Sequence, residues 1–177
     1  MKKKLIVILL SLCFVYNYAS AEVYGGKWAS NPSYYHNTSN PYSTEFNQAI
    51  SSWNGVLSSI GSALRIRSGS ATGATVMVST ANYYDLGWDG YCKPGPDPYS
   101  GTYTYADMKL NTFYMDNFTS DRRKSVITHE FGHCLGLAHT ETGANRSIMY
   151  ITSNVYYGQW NLTSPTSYDI DNLDSLY

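Results

Sequence analysis

The sequence has little charge, few cysteines and no long apolar run away from its amino terminus. Only 14% of the 177 residues are charged, three are cysteine and four are histidine. The run LIVILLSLCFV, residues 5–15, is too short to hold a helix across a bilayer, so no membrane anchor is expected. Aromatic residues make up 15% of the chain, which argues against a disordered protein and predicts a folded one.

The amino terminus has the organisation of a secretory signal peptide. Three lysines at positions 2–4 precede the apolar run, and the small residues ASA end at Ala21. We expect residues 1–21 to be removed after Ala21 and the protein to be secreted into the extracellular space. A lipoprotein lipidated at Cys13 is the alternative, although Leu12 is larger than the residue that normally precedes such a cysteine.

The remaining residues, 22–177, are enough for one domain with a sizeable core. Removing the three signal lysines from 12 basic residues leaves nine basic against 13 acidic side chains. This negative balance argues against nucleic acid as a partner. We expect a monomer.

Two cysteines, Cys92 and Cys134, remain after the signal peptide is removed. Export places them in an oxidising compartment, where a pair of cysteines tends to close, so we expect a Cys92–Cys134 disulfide. Two separate buried thiols are the alternative, because two cysteines carry no framework pattern of their own.

One amphipathic helix and several strands are predicted in the first two thirds of the chain. Apolar residues recur every three or four positions in STEFNQAISSWNGVLSSI, residues 43–60, behind Ser43 or Thr44 as the cap. The segments ALRIRS, ATVMVST and YADMKLNTFYM are alternating or branched and predict strands. Residues 85–101 are rich in glycine and proline, and we expect a long loop without regular structure there.

Two further helices are predicted in the last third. The segment TSDRRKSVITHEFGHCLG predicts a helix that Thr119 or Ser120 caps and Gly136 ends. The segment SPTSYDIDNLDSLY predicts a C-terminal helix that begins at Ser164 or Ser167. Helix, strands and two more helices together indicate an α+β domain.

The segment HEFGHCLGLAHT holds three of the four histidines of the chain. His129 and His133 are one helical turn apart, about 6 Å along the axis, so both imidazoles can reach one ion. Gly136 can end the helix and turn the chain so that His139 approaches the same ion. Three protein ligands with an open fourth position are the arrangement of a catalytic zinc. Glu130, beside the first ligand, can then serve as general base and acid in the hydrolysis of an amide.

The motif HEFGHCLGLAH, followed by SIMY, resembles that of the metzincin zinc endopeptidases. Met149 stands at the position of the methionine turn, which the resemblance implies is an apolar floor beneath the metal ligands. Thr140, the ending SYDIDNLDSLY, and KW followed by FNQAISSWN are most similar to the matrixin branch. The resemblance implies a metzincin-like fold, a twisted mixed β-sheet with an N-terminal helix, an active-site helix and a C-terminal helix.

The resemblance also implies an activity. It predicts a secreted, zinc-dependent endopeptidase with one catalytic zinc that hydrolyses protein substrates lying along an edge strand. The alternative is a secreted zinc-containing binding protein, adhesin-like or toxin-like, with little or no proteolysis.

Substrate selection in this family depends on the S1′ pocket, which holds the side chain after the scissile bond. The pocket is bounded by the segment after the turn methionine, here YITSNVYYGQW, so Tyr150, Tyr156 and Tyr157 are candidates to line or close it. Packing in the core or at the surface is the alternative for these tyrosines. Asp169 matches an acid that lies near the methionine turn or the new amino terminus in matrixins, but it also suits the start of a helix.

The chain departs from matrixins in several respects. Residues 80–128 contain no histidine, so the second, structural zinc of that branch is not expected. Asp85, Asp89 and Asp97 could bind calcium, but they lack a regular ligand spacing, and solvated loop acids are the preferred interpretation. The segment YCKPGPDPY is faintly similar to the cysteine segment of the matrixin propeptide, which leaves Cys92 as an inhibitory zinc ligand as a further alternative.

Overall fold

The computed structural model describes residues 22–37, 39–141 and 143–177. The predicted signal peptide, residues 1–21, and its cleavage after Ala21 lie outside the described residues. Within the described ranges, no helix is both long enough and apolar enough to cross a bilayer.

A five-stranded mixed sheet forms one layer of the molecule. The described residues form seven strands, five of which belong to this sheet. In chain order they are β1 (Lys27–Trp28), β2 (Ser33–His36), β3 (Arg67–Ser68), β4 (Val76–Ala81), β5 (Gly90–Gly95), β6 (Thr102–Tyr103) and β7 (Tyr105–Asn111). Their order in the main sheet is β3-β2-β4-β7-β5, and β1 pairs separately with β6. Neighbours in the main sheet are parallel except β5, which runs antiparallel to β7 at the edge.

Five helices complete the described structure: α1 (Ser43–Ser59), α2 (Thr112–Met115), α3 (Ser120–Cys134), α4 (Ser153–Tyr156) and α5 (Ser167–Asp174). The expected α+β class, with an N-terminal, a motif-bearing and a C-terminal helix, is confirmed. The long helices α1 and α3 pack together: the Phe46 and Phe131 rings are 4.9 Å apart, and Trp53 Nε1 donates to Thr128 O at 2.8 Å. The side chains of Trp53, Phe46 and Phe131 are all fully buried, which fixes α3 against the core.

Helix α3 begins as its sequence predicts, but the caps of the other two long helices differ. Thr119 accepts a hydrogen bond from Arg122 N, as a capping residue should. The predicted cap of α1 at Ser43 or Thr44 is wrong, because α1 begins after Tyr42 without a side-chain cap. Tertiary packing replaces the cap there, since Tyr42 is buried and its hydroxyl donates to Asp116.

The C-terminal helix begins at Ser167, one of its two predicted starts, but neither of the predicted serines caps it. Thr166, and not Ser164 or Ser167, is the capping residue of α5. The Thr166 hydroxyl and the Asp169 carboxylate form a reciprocal capping box. The sequence signal was present, since an acid follows Thr166 by three positions.

Residues 85–101 do not form a structureless loop, and that expectation is wrong. They contain β5, whose ladder with β7 runs from Gly90↔Leu110 to Gly95↔Tyr105. Pro94 is compatible with this strand because β5 lies at the edge of the sheet, where a missing N–H costs no ladder bond on the open side. The predicted strand YADMKLNTFYM is correspondingly shorter, because it ends at Asn111, whose side chain caps α2.

Candidate active site

The turn after α3 brings the third histidine back towards the helix. Gly136 has a φ of 103°, in the left-handed region that favours glycine. Leu137 N donates to Gly132 O at 3.0 Å, and Gly136 N donates to His133 O at 2.9 Å, which together form a Schellman ending. A Cβ atom on Gly136 would lie 2.9 Å from Gly26 O, so this position excludes other residues on space as well.

The three histidines of the motif converge at one point. His139 Nε2 lies 3.0 Å from His133 Nε2 and 3.3 Å from His129 Nε2. Within the described part of the chain, this trio is the group of His, Cys, Asp or Glu side chains placed to hold one metal ion. The predicted ligand set is therefore brought together by α3 and the turn that follows it.

Backbone carbonyls orient two of these rings. His129 Nδ1 donates to Ile148 O at 2.8 Å, and His133 Nδ1 donates to Leu137 O at 2.8 Å. A proton fixed on Nδ1 leaves the lone pair on Nε2, which faces the point of convergence. Both rings thus hold the tautomer that a metal ligand requires.

Burial keeps the imidazoles neutral. It lowers the pKa of His129 well below 6.5 and that of His133 to about 3, and the neighbouring histidines lower both further. Burial also lowers the pKa of His139, against the opposing effect of Glu141. Neutral imidazole is the form that coordinates a metal, so the donor set fits a divalent ion such as zinc.

Glu130 lies beside the ligands with one carboxylate oxygen unpartnered. The residue is 5% exposed, and in the described structure its Oε2 has no hydrogen-bond partner. Burial raises the pKa of Glu130 well above 4.5, the charge of Asp89 raises it further, and the N–H of Cys92 acts in the opposite direction. A Cβ atom on Gly90 would lie 2.8 Å from Glu130 Oε1, so glycine lets β5 approach this carboxylate.

Met149, the residue predicted for the methionine turn, packs against α3 beside Gly132. Its side chain is 2% exposed, and a Cβ atom on Gly132 would overlap its sulfur. Thr140 N donates to Met149 O at 2.9 Å, which joins the turn to the residue after the third histidine. The thioether thus fills the space left by the glycine beneath the histidines.

Asp169 holds the methionine turn in place. It is fully buried, accepts from Ile148 N at 3.0 Å and accepts from the Ser147 hydroxyl. The carbonyl of Ile148 in turn accepts from His129, so α5 and the first ligand are connected through one residue. Of the two alternatives for Asp169, contact with the methionine turn is present, and so is its role at the start of α5.

The histidines and Glu130 open into a cleft of about 600 Å³. One wall is formed by residues 87–92 at the start of β5, and the other by residues 151–154 and 156. Tyr156 stacks on His129 with ring centroids 5.0 Å apart, and Tyr24 stacks on His133 at 5.7 Å. Tyr24 was missed by sequence reasoning, because it lies in a short segment with no periodicity or motif.

The three tyrosines proposed for S1′ occupy different places. Tyr156 lines the cleft, whereas Tyr150 packs against Trp160 at 5.1 Å and Tyr157 has its hydroxyl 3.1 Å from Thr119 Oγ1. Neither Tyr150 nor Tyr157 is among the cleft-lining residues. The S1′ assignment of this region stays a prediction, and Tyr156 is the tyrosine placed to serve it.

The predicted disulfide between Cys92 and Cys134 is present. It joins β5 to the last residue of α3, and so ties one wall of the cleft to the metal-binding helix. Neither separate thiols nor Cys92 as a metal ligand agrees with this bond.

The three loop acids considered for calcium do not form a cluster of ligands. Asp85 accepts from the Tyr114 hydroxyl, Asp89 from the Ser153 hydroxyl, and Asp97 from Tyr99 N and the Ser100 hydroxyl. Asp89 is instead part of the cleft, close enough to influence Glu130.

Four features together are typical of the metzincin class of metallopeptidases. They are a mixed sheet, a helix with two histidines of the motif, a third histidine after a glycine turn and a methionine beneath them. A comparison with protein-family models points to one branch of this class, because the family model described as matrixin matches residues 91–177. This match and the group of three histidines support a matrixin-like metzincin and, at the family level, a zinc metallopeptidase. A search of curated proteins gave no match.

Proposed function

We propose that the protein is a secreted zinc endopeptidase that hydrolyses peptide bonds in proteins. The observation that carries this proposal is the convergence of three histidine Nε2 atoms beside the unpartnered oxygen of Glu130, at the base of an open cleft. His129, His133 and His139 hold the metal, which leaves room for a reactant in a fourth position.

Glu130 is the proton-transfer group in this proposal. A bound zinc supplies Lewis acidity, which polarises a carbonyl and lowers the pKa of water. Glu130 accepts a proton from the attacking water and returns it to the departing amine nitrogen. Its Oε2 has no partner among the described residues, so it is available for both transfers.

The substrate lies along β5. This strand is at the edge of the main sheet, and no strand of the described residues pairs with its outer side, so an extended peptide can be added there. Gly90 and Cys92 of β5 line the same cleft as the histidines, so an extended peptide on β5 passes directly over the metal site. Main-chain pairing of this kind suits an enzyme that cleaves within protein chains.

Secretion and a monomeric state complete the proposal. A disulfide between β5 and α3 is stable in an oxidising compartment outside the cytoplasm, which supports export. The full chain expressed in an exporting host should reach the medium with Glu22 as its first residue, as read by amino-terminal sequencing. Retention in the cell with residues 1–21 attached would contradict this part.

The hydrolytic proposal is tested with the exported protein and its Glu130→Gln variant. We expect one zinc per chain in both, measured by elemental analysis, and cleavage of casein or gelatin by the wild type alone. Equal cleavage by both proteins would refute the role of Glu130. One zinc in each with no cleavage of any protein would favour the binding-protein alternative.

A further inference from the structure

Arg122 is the cationic side chain that lines the cleft in the described structure. It lies on α3 seven residues before His129, which is about 10 Å along the helix axis and within about 20° of the same face. A substrate group that enters the cleft beside His129 and extends along this face therefore meets Arg122.

The guanidinium group is held in place by neutral partners. Its Nη2 donates to Ser153 Oγ at 3.1 Å and to Asn154 Oδ1 at 3.0 Å. Its central carbon lies 3.9 Å from the centroid of the Phe118 ring, which supports the group from one face. The side chain is thus ordered before any substrate arrives, which reduces the entropy cost of using it in recognition.

The positive charge of Arg122 has no acidic partner within 4.0 Å in the part of the chain that the structure describes. Asp89 also lines the cleft, but its carboxylate accepts a hydrogen bond from the Ser153 hydroxyl, and that hydroxyl lies between the two charges. Nε of Arg122 is buried without an acceptor, and no hydrogen bond from Nη1 is present among the described residues. An ordered guanidinium with an unused Nη1 donor is suited to bind an acceptor, because an unused donor in a partly buried site is costly.

We propose that Arg122 forms a subsite for a substrate carboxylate within the cleft. A planar guanidinium matches a carboxylate in both charge and geometry, and it does so better than it matches an amide or an alkyl chain. The carboxylate is supplied either by an acidic side chain near the scissile bond or by the carboxyl terminus of a short substrate. This inference rests on the proposed peptidase function and names its specificity.

The competing explanation is that Arg122 only ties α3 to α4 through Ser153 and Asn154. A structural role would change stability or the rate on all substrates together. A recognition role changes the ratio between an acidic substrate and its neutral isostere, and that ratio is independent of the amount of folded enzyme.

The test uses peptide pairs that differ by Glu or Gln at one position, with that position moved along both sides of the cleaved bond. We expect wild-type kcat/KM to favour Glu at one position by about ten- to a hundredfold, the value of one charged hydrogen bond. In Arg122→Met this ratio should fall to about one, with zinc content unchanged. A second arm compares free-acid and amidated peptides that end at each position, which distinguishes a terminal carboxylate from a side chain.

Arg123→Met is the matched control. Arg123 is the next residue of α3, but it donates to the carbonyls of Met115 and Asp116 and does not line the cleft. The Glu-to-Gln ratio should be the same in Arg123→Met as in the wild type. If Arg122→Met does not fold, Arg122→Gln keeps a donor for Ser153 without the charge and gives the same test.

A ratio that is equal in the wild type and in the folded Arg122 variant would overturn the subsite. Failure of the peptidase function looks different, because no peptide would then be cleaved. In that case, calorimetric binding of the same pairs to zinc-loaded Glu130→Gln protein decides the matter. The subsite is supported if the Glu or free-acid peptide binds more tightly and this preference is lost in the double variant Arg122→Met, Glu130→Gln. Equal binding of the two peptides of a pair refutes it.

Discussion

At the scale of single residues, the metal site depends on the absence of a side chain as much as on the histidines. Gly132 lies between His129 and His133 on α3, and a Cβ atom there would overlap Met149 Sδ and lie 3.1 Å from Trp53. The helix can therefore rest on the methionine turn only if this position is glycine. The two unspecified positions between the histidines of the motif are not equivalent in this protein.

Gly132→Ala should destabilise the fold and weaken metal binding. Overpacking at a buried contact costs about 1–3 kcal/mol, and shifting Met149 disturbs the floor beneath the ligands. Denaturant unfolding and zinc titration measure the two effects. Gly55→Ala is the control, because α1 offers open space around that glycine, and alanine should raise stability by about 0.5–1 kcal/mol there. Equal stability of Gly132→Ala and the wild type would contradict the packing described above.

Asp169 is the second residue whose loss should reach the metal. In Asp169→Ala, the hydroxyl of Ser147 and the N–H of Ile148 lose their buried acceptor, at a cost of about 2–4 kcal/mol. Since Ile148 O orients His129, we also expect weaker zinc binding. Asp174→Ala, on the exposed side of α5, should change the free energy of unfolding by less than about 0.5 kcal/mol. Unchanged zinc affinity in Asp169→Ala would show that the connection through Ile148 does not contribute to zinc binding.

At the scale of elements, the disulfide helps to hold β5 against α3. Cys92 and Cys134 are 42 positions apart along the chain, so closing this loop restricts the unfolded state considerably. Chain-entropy arguments give roughly 4 kcal/mol for a loop of this length. Because the bond joins one wall of the cleft to the metal-binding helix, its loss should affect the cleft before it affects α1.

The double variant Cys92→Ala, Cys134→Ala should lose up to roughly 4 kcal/mol in the free energy of unfolding, measured in urea. Reduction of the wild type with dithiothreitol should lower stability by a similar amount. The same treatment of the double variant should change nothing, which controls for other effects of the reductant. A wild type that resists reduction and a double variant of full stability would contradict a stabilising role.

Sequence reasoning succeeded where the signal is local. Thr119 at the start of α3 and Gly136 at its end act within a few residues of the helix, so both could be identified without the fold. It failed at β5 because pairing with β7 and burial of Cys92 depend on residues distant along the chain. The cap of α1 failed for the same reason, since Tyr42 is held by Asp116, 74 positions away.

At the scale of the whole molecule, residues from both ends of the described chain meet at the end of α3. Tyr24 N donates to Gly136 O at 2.8 Å, and Ala138 N donates to the carbonyl of Glu22 at 2.9 Å. From the other end, the Tyr177 hydroxyl donates to Leu135 O at 2.8 Å. The loop that carries the third histidine is therefore positioned by contacts from both chain ends, two of them over more than 100 positions, as well as by the local turn.

These long-range contacts predict how the protein responds to removal of its metal. The hydrogen bonds that orient His129 and His133, the disulfide and the contacts from both chain ends all join protein atoms to each other. Chelation of the zinc-loaded protein should therefore lower Tm without unfolding the chain at room temperature. A ligand at a thousand times its Kd adds about 4 kcal/mol, so a shift of several degrees is expected. Differential scanning calorimetry with EDTA, followed by zinc, measures the shift and its reversal. Unfolding of the chelated protein at room temperature, with loss of near-ultraviolet circular dichroism, would show that the metal and not these contacts holds the site together.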